Sequence, residues 1–245
     1  MAKDNEHHGR VAVITGGSGG IGTGIGRHLQ SEGVTVHVLD LSDDPDPGAA
    51  GAIHFHSVDI GNEAQVDSAF DRIQSFSKRL DYLVCCAAIF RPQPFLELEA
   101  ENWQQTLQTN LTGSFLACRA ALRCMRPRKF GRIVLFSSMI ARTGSVKGAH
   151  YAASKGGILG LARTVAIEAA ADNIRVNTIS PGITDTPQPR AFLSDADLTQ
   201  RRARIPLGRI GAVEDMVEAC MFLLSEQSSY LIGQDLRVNG GASLW

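Results

Sequence analysis

Val11-Ala-Val-Ile-Thr-Gly-Gly-Ser-Gly-Gly-Ile-Gly22 begins as a short β-branched apolar run and ends with five glycines in seven positions. The first part reads as a buried strand, and the pattern from Ile21 to Leu29 reads as a helix. Glycines between them let the backbone turn tightly and approach a bound group with no Cβ in the way. The free N–H groups and positive end of the helix can then meet a pyrophosphate.

Outward from that turn, short apolar runs recur at Val34–Leu39, Leu83–Cys86, Ile133–Phe136, Ile174–Ile179 and Leu236–Val238, with longer helical patterns between them. Near-continuous apolar strands alternating with helices predict βαβ units. The expected fold is α/β: a doubly wound parallel Rossmann sheet in three layers (α/β/α), forming one domain over residues 1–245. Ligands in such sheets bind beyond the carboxyl ends of the strands. Residues 1–9 read as a polar tail, 42–51 as a surface loop, and 187–211 as an irregular substrate loop.

The 245 residues carry a net charge of −1, which offers no basic footprint for nucleic acid or an anionic membrane. No leader or membrane-spanning apolar run is apparent, so the expected location is the cytoplasm. The five cysteines lack metal-ligand spacing and read as reduced, mostly buried thiols. His7 and His8 have no third partner, so no metal is expected.

Asp40 lies at the end of the second strand, 20 residues beyond Gly20. A carboxylate there accepts hydrogen bonds from ribose hydroxyls and repels a 2′-phosphate, which favours NAD over NADP. Farther on, Ser138 is followed 13 residues later by Tyr151, and Lys155 lies one helical turn beyond. An ammonium on the same helix face favours the phenolate of a tyrosine that is otherwise a poor base. Ser138 can hold a substrate oxygen while Tyr151 exchanges its proton.

Taken together, Thr15-Gly-Gly-Ser-Gly-Gly-Ile-Gly22, Thr109-Asn-Leu111, Ser138, Tyr151-Ala-Ala-Ser-Lys155 and Pro181-Gly182 make the chain resemble the short-chain dehydrogenase/reductase family, in its single-domain branch. The resemblance implies catalysis by Asn110, Ser138, Tyr151 and Lys155. In this pattern Asn110 holds a water in a proton relay, and Lys155 also binds the nicotinamide ribose. The implied NAD contacts are Gly16, Ser18, Gly19, Gly20, Ile21 and Gly22 at the phosphates, and Asp40, Leu41, Asp59, Ile60 and Ala87 around the adenosine, Asp59 against its adenine. Asn110, Tyr151, Lys155, Pro181, Gly182, Ile183 and Thr186 are implied on the nicotinamide side. The segment Gly233–Gly241 resembles the family's last strand and turn, which implies a homotetramer or a homodimer.

One departure stands out: Cys85-Cys86-Ala87-Ala88 replaces the family's Asn-Asn-Ala-Gly. Phe90, Phe95, Met139, Ile140 and Phe192 suggest an apolar substrate wall, and Arg91, Arg142 and Arg190 suggest anion contacts. The first functional reading is NAD-linked hydride transfer with a small secondary alcohol, diol or ketone. The second is reduction of a 3-oxoacyl thioester, with Arg126, Arg128 and Lys129 as a carrier-docking patch. A third, non-catalytic NAD binding, sits poorly with a full set of catalytic side chains.

Overall fold

The computed structural model describes residues 5–42 and 53–244. Their strands form one parallel sheet in the order β3-β2-β1-β4-β5-β6-β7. The strands are β1 (Val11–Thr15), β2 (Thr35–Asp40), β3 (Ile53–Ser57), β4 (Tyr82–Cys85), β5 (Gly131–Phe136), β6 (Ile174–Pro181) and β7 (Asp235–Val238). The order reverses between β1 and β4, opening a crevice beyond Thr15 and Cys85, which are register partners.

Helices cover both faces. They are α1 (Gly20–Ser31), α2 (Glu63–Ser77), α3 (Ala100–Leu107), α4 (Gly113–Met125), α5 (Ile140–Thr143), α6 (Ala149–Ala169), α7 (Pro187–Arg190), α8 (Asp195–Arg202) and α9 (Val213–Leu224). Alternation along each strand divides the core. Val13 and Leu83 pack with α2, α4 and α6 on one face, while Ile14 and Val84 pack with α1 and α9 on the other. Each fully buried large aliphatic residue contributes about 1.5–3 kcal/mol, so the two faces rather than any single contact hold the sheet.

The structure revises three local expectations. Ile53–Ser57 forms a third strand that the apolar-run reading passes over, because its alternating His-Phe-His sequence suits a half-buried edge. The stretch 187–211 is partly helical: Ser194 caps α8 by accepting from the Asp197 amide, and the Asp197 carboxylate reciprocates. Of the expected polar tail, residues 1–4 lie outside the described residues, and the largely exposed residues 5–9 are anchored at Glu6 and His7. His7 is buried with its Nδ1 3.0 Å from the Tyr82 hydroxyl, and the Glu6 carboxylate accepts from the Glu226 amide at 2.9 Å. Most of the expected 42–51 loop lies outside the described residues.

Candidate active site

The turn after β1 requires glycine for two separate reasons. Gly16 has φ +69°, and a Cβ on it would meet the Ala87 backbone at 2.5 Å. A Cβ on Gly22 would collide with the Gly16 carbonyl. The chain beyond β4 can therefore lie directly on the turn, and α1 starts with neither a side-chain cap nor an acidic residue in its first turn. Its leading amides have no intrahelical acceptor.

These amides face a cavity of about 480 Å³. Gly16, Ser18, Gly19, Gly20, Ile21 and Gly22 line one side, and Asp40, Leu41, Asp59, Ile60, Ala87 and Thr186 line the rest. A glycine cradle, an uncapped helix end and a carboxylate at the strand terminus fit a dinucleotide. Asp40 accepts from the Ser18 amide at 3.0 Å, and so also braces the turn. The Asp59 carboxylate accepts from the Gly61 amide at 2.8 Å.

A second cavity, of about 290 Å³, adjoins the first, with Ile21, Cys86, Ala88 and Thr186 lining both. Ser138, Tyr151 and Lys155 line it, as do Pro181, Gly182 and Ile183 from the end of β6. β5 delivers Ser138 at its carboxyl end, and the neighbouring Ser137 hydroxyl donates to the Lys155 carbonyl at 2.9 Å, fixing α6 against the sheet. Tyr151 and Lys155 share one face of α6, with Nζ 5.6 Å from the phenol ring centroid.

Burial raises the Tyr151 pKa to about 12, and its hydrogen bond with Ser138 opposes that only in part. Burial lowers the Lys155 pKa to about 8, and its ammonium donates to the Phe136 carbonyl at 2.7 Å. Desolvation here favours the neutral phenol, and the Ser138 hydrogen bond favours the phenolate. A protonated phenol beside a serine hydroxyl can donate a hydrogen bond to a carbonyl oxygen.

Asn110 is fully buried in a π-turn over Gln108–Thr112. Its side chain accepts from the Ile89 amide at 2.8 Å and donates to the Ile89 carbonyl and the Ser154 hydroxyl. The amide thus ties the chain after β4 to α6 and is not directed at Lys155. Any relay through Asn110 falls to its main chain, whose carbonyl already accepts from Ser114.

Phe90 bridges the site, with its ring 4.8 Å from Tyr151 and 5.2 Å from Phe192 between centroids. The expected apolar wall therefore includes Phe90, Met139, Ile140 and Phe192, whereas Phe95 is 73% exposed outside it. The expected anion contacts are committed elsewhere. Arg190 is held twice by Asp185, Arg142 by Asp235, and Arg91 reaches Gln105.

Arg201, which lies within the expected substrate loop 187–211 among several other arginines, also lines the chamber. The capping box at Ser194 and Asp197 was the signal that could have placed it on a helix. Cys85, Cys118 and Cys220 are buried; burial raises the thiol pKa values of Cys86 and Cys220, and a hydrogen bond with Cys85, then burial, raises that of Cys118.

The comparisons agree with this geometry. A family model described as Enoyl-(Acyl carrier protein) reductase matches residues 16–243. A 3-oxoacyl acyl-carrier-protein reductase of Aquifex aeolicus is 34% identical over 241 residues, spanning 95% of this chain and 97% of that protein. The corresponding reductase of Escherichia coli is 31% identical over 237 residues, 95% of this chain and 97% of its own. A cis-4-hydroxycyclohexanecarboxylate dehydrogenase of Sinomonas cyclohexanicum is 36% identical over 239 residues, 95% and 96% of the two chains.

Proposed function

The chain belongs to the short-chain dehydrogenase/reductase family, and from that premise we propose that it is an NAD-linked dehydrogenase of compact secondary alcohols and the matching ketones. The observation that carries this reading is the junction of the two cavities. A glycine-lined cradle ending at Asp40 opens onto a largely apolar chamber floored by Ser138 and Tyr151.

The substrate oxygen sits between the Ser138 hydroxyl and the Tyr151 phenol. Ser138 orients it by hydrogen bond, and Tyr151 gives its proton to a ketone or takes one from an alcohol. Lys155, fixed by the Phe136 carbonyl, supplies positive charge beneath the phenol. Phe90 and Phe192, in edge-to-face contact, give the far side an apolar wall. When bound, the nicotinamide supplies or accepts the hydride. The turn at Gly16–Gly22 would hold the phosphates, and Asp40 would accept from the ribose hydroxyls, which would favour NAD over NADP.

The Sinomonas relative, by its name, acts on a hydroxycyclohexanecarboxylate, and a ring of that size suits a chamber of about 290 Å³. Seven relatives, the Aquifex and Escherichia proteins among them, are by name 3-oxoacyl acyl-carrier-protein reductases and favour a second reading, reduction of 3-oxoacyl thioesters. Arg126, Arg128 and Lys129, however, precede β5, at the end of the sheet remote from this chain's own chamber, and Arg126 pairs with Asp172 at 3.2 Å.

The test follows nicotinamide reduction or oxidation with cyclic secondary alcohols and ketones in parallel with 3-oxoacyl thioesters, using both NAD(H) and NADP(H). The proposal expects turnover of the cyclic alcohols with NAD. Turnover confined to thioesters with NADPH would replace it with the second reading.

A further inference from the structure

Resting on the dehydrogenase reading, we infer that the substrate carries a carboxylate and that Arg201 binds it, which makes Arg201 a specificity-determining residue. Lys155 lies on the chamber floor, committed to the Phe136 carbonyl. The other charged side chain lining the chamber is Arg201, and no aspartate or glutamate lines it among the described residues. A cation bordering an apolar chamber, with no acid on its walls, favours an anionic end on the molecule that enters.

The surrounding ion pairs strengthen the assignment. Two arginines of the same segment are neutralised, Arg190 by Asp185 in a two-point contact and Arg209 by Asp215 in another, and Arg202 and Arg204 do not line the chamber. Arg201 has Asp197 one helical turn before it on α8, the usual spacing for an ion pair. That carboxylate acts on Arg201 through space, but its hydrogen bonds go to the helix cap, where it accepts from the Ser194 amide at 3.0 Å and its hydroxyl at 2.6 Å. No described carboxylate bonds Arg201.

Position completes the inference. Ser138 and Tyr151 lie at the carboxyl end of β5 and on α6, whereas Arg201 comes from α8, on the segment that also carries Phe192 and Leu193 into the chamber. A substrate with its alcohol or ketone at Tyr151 and its carboxylate at Arg201 has an apolar body between them, against Phe90 and Phe192. The class is a compact hydroxy or oxo acid whose reacting carbon is separated from its acid by an apolar frame.

The experiment measures binding of cyclohexanecarboxylate and cyclohexanecarboxamide by calorimetry to the NADH-loaded protein, in the wild type, Arg201→Met, Arg201→Lys and Tyr151→Phe. The wild type is expected to prefer the carboxylate by about tenfold or more, the scale of one charge-assisted contact at a partly exposed site. Arg201→Met erases that preference, Arg201→Lys keeps part of it, Tyr151→Phe keeps all of it, and added salt weakens it. Equal affinities in the wild type, no detectable carboxylate binding, or a preference that survives in folded Arg201→Met would each overturn the inference. Failure of the dehydrogenase reading is separable: it appears as absence of turnover with every secondary alcohol while the carboxylate preference persists.

Discussion

At the residue scale, the chemistry depends on which groups hold protons. With Tyr151 near pKa 12 and Lys155 near 8, the phenol stays protonated through the neutral range. kcat for ketone reduction should therefore fall above about pH 8 as Lys155 loses the charge it holds beneath the phenol, while kcat for alcohol oxidation climbs as protons leave the pair. Parallel profiles in the two directions would contradict this assignment. Asp40→Ala should move the NAD-to-NADP preference toward NADP by on the order of tenfold, read as a ratio of kcat/KM values; an unchanged ratio would take Asp40 off the ribose. Burial also makes Cys86 a poor nucleophile by holding its thiol protonated. Iodoacetamide should label it more slowly at neutral pH than an unstructured cysteine peptide, and faster labelling would indicate a thiolate.

At the scale of elements, the edge pair β2–β3 contains a titratable cluster unconnected with catalysis. His37 is buried, with its ring nitrogens 3.0 Å from His56 and 2.9 Å from the Ser77 hydroxyl. His54 stacks on it at 5.0 Å between ring centroids, and Arg72 acts on His56. Burial, with His56 and His54 adding to it, lowers the His37 pKa from 6.5 to about 4. Between those values the unfolded chain binds the proton and the native state does not. Stability should therefore be full above about pH 6.5 and fall by about 1–2 kcal/mol as pH drops toward 4. Urea midpoints for the wild type and His37→Phe would test this, the variant losing most of that acid dependence.

The same edge shows where the sequence is hard to read. β1, β4, β5 and β6 are buried on both faces, so their apolar runs announce them. β3 is half-exposed and borrows its order from β2, so its sequence carries only a weak alternation. The glycine turn and the Ser138, Tyr151 and Lys155 spacing were legible because the chemistry constrains residue type locally. The commitment of Asn110 to Ile89, the pairing of Arg190 with Asp185, and the arrival of Arg201 at the chamber depend on contacts between distant segments.

At the scale of the whole molecule, the topology explains why two cavities meet. Reversal of strand order at β1 and β4 opens the crevice, and α6 and the segment after β6 wall its far side. Among the described residues no helix is long and apolar enough to cross a membrane. A cofactor that binds only the folded chain should raise its melting temperature, since ligand at 100 times Kd stabilises by about 2.7 kcal/mol. NAD should raise it more than NADP at equal concentration, and the reverse order would contradict the role assigned to Asp40.

The most direct test of the central claim compares the wild type with Tyr151→Phe. Both are assayed for nicotinamide reduction with a cyclic secondary alcohol, and calorimetry measures NAD binding to each. Removing the phenolic proton carrier should cut kcat by about 10²–10⁴-fold while NAD affinity stays within about threefold. Equal turnover by the two proteins would show that Tyr151 does not carry the proton, and the site as assigned would fall.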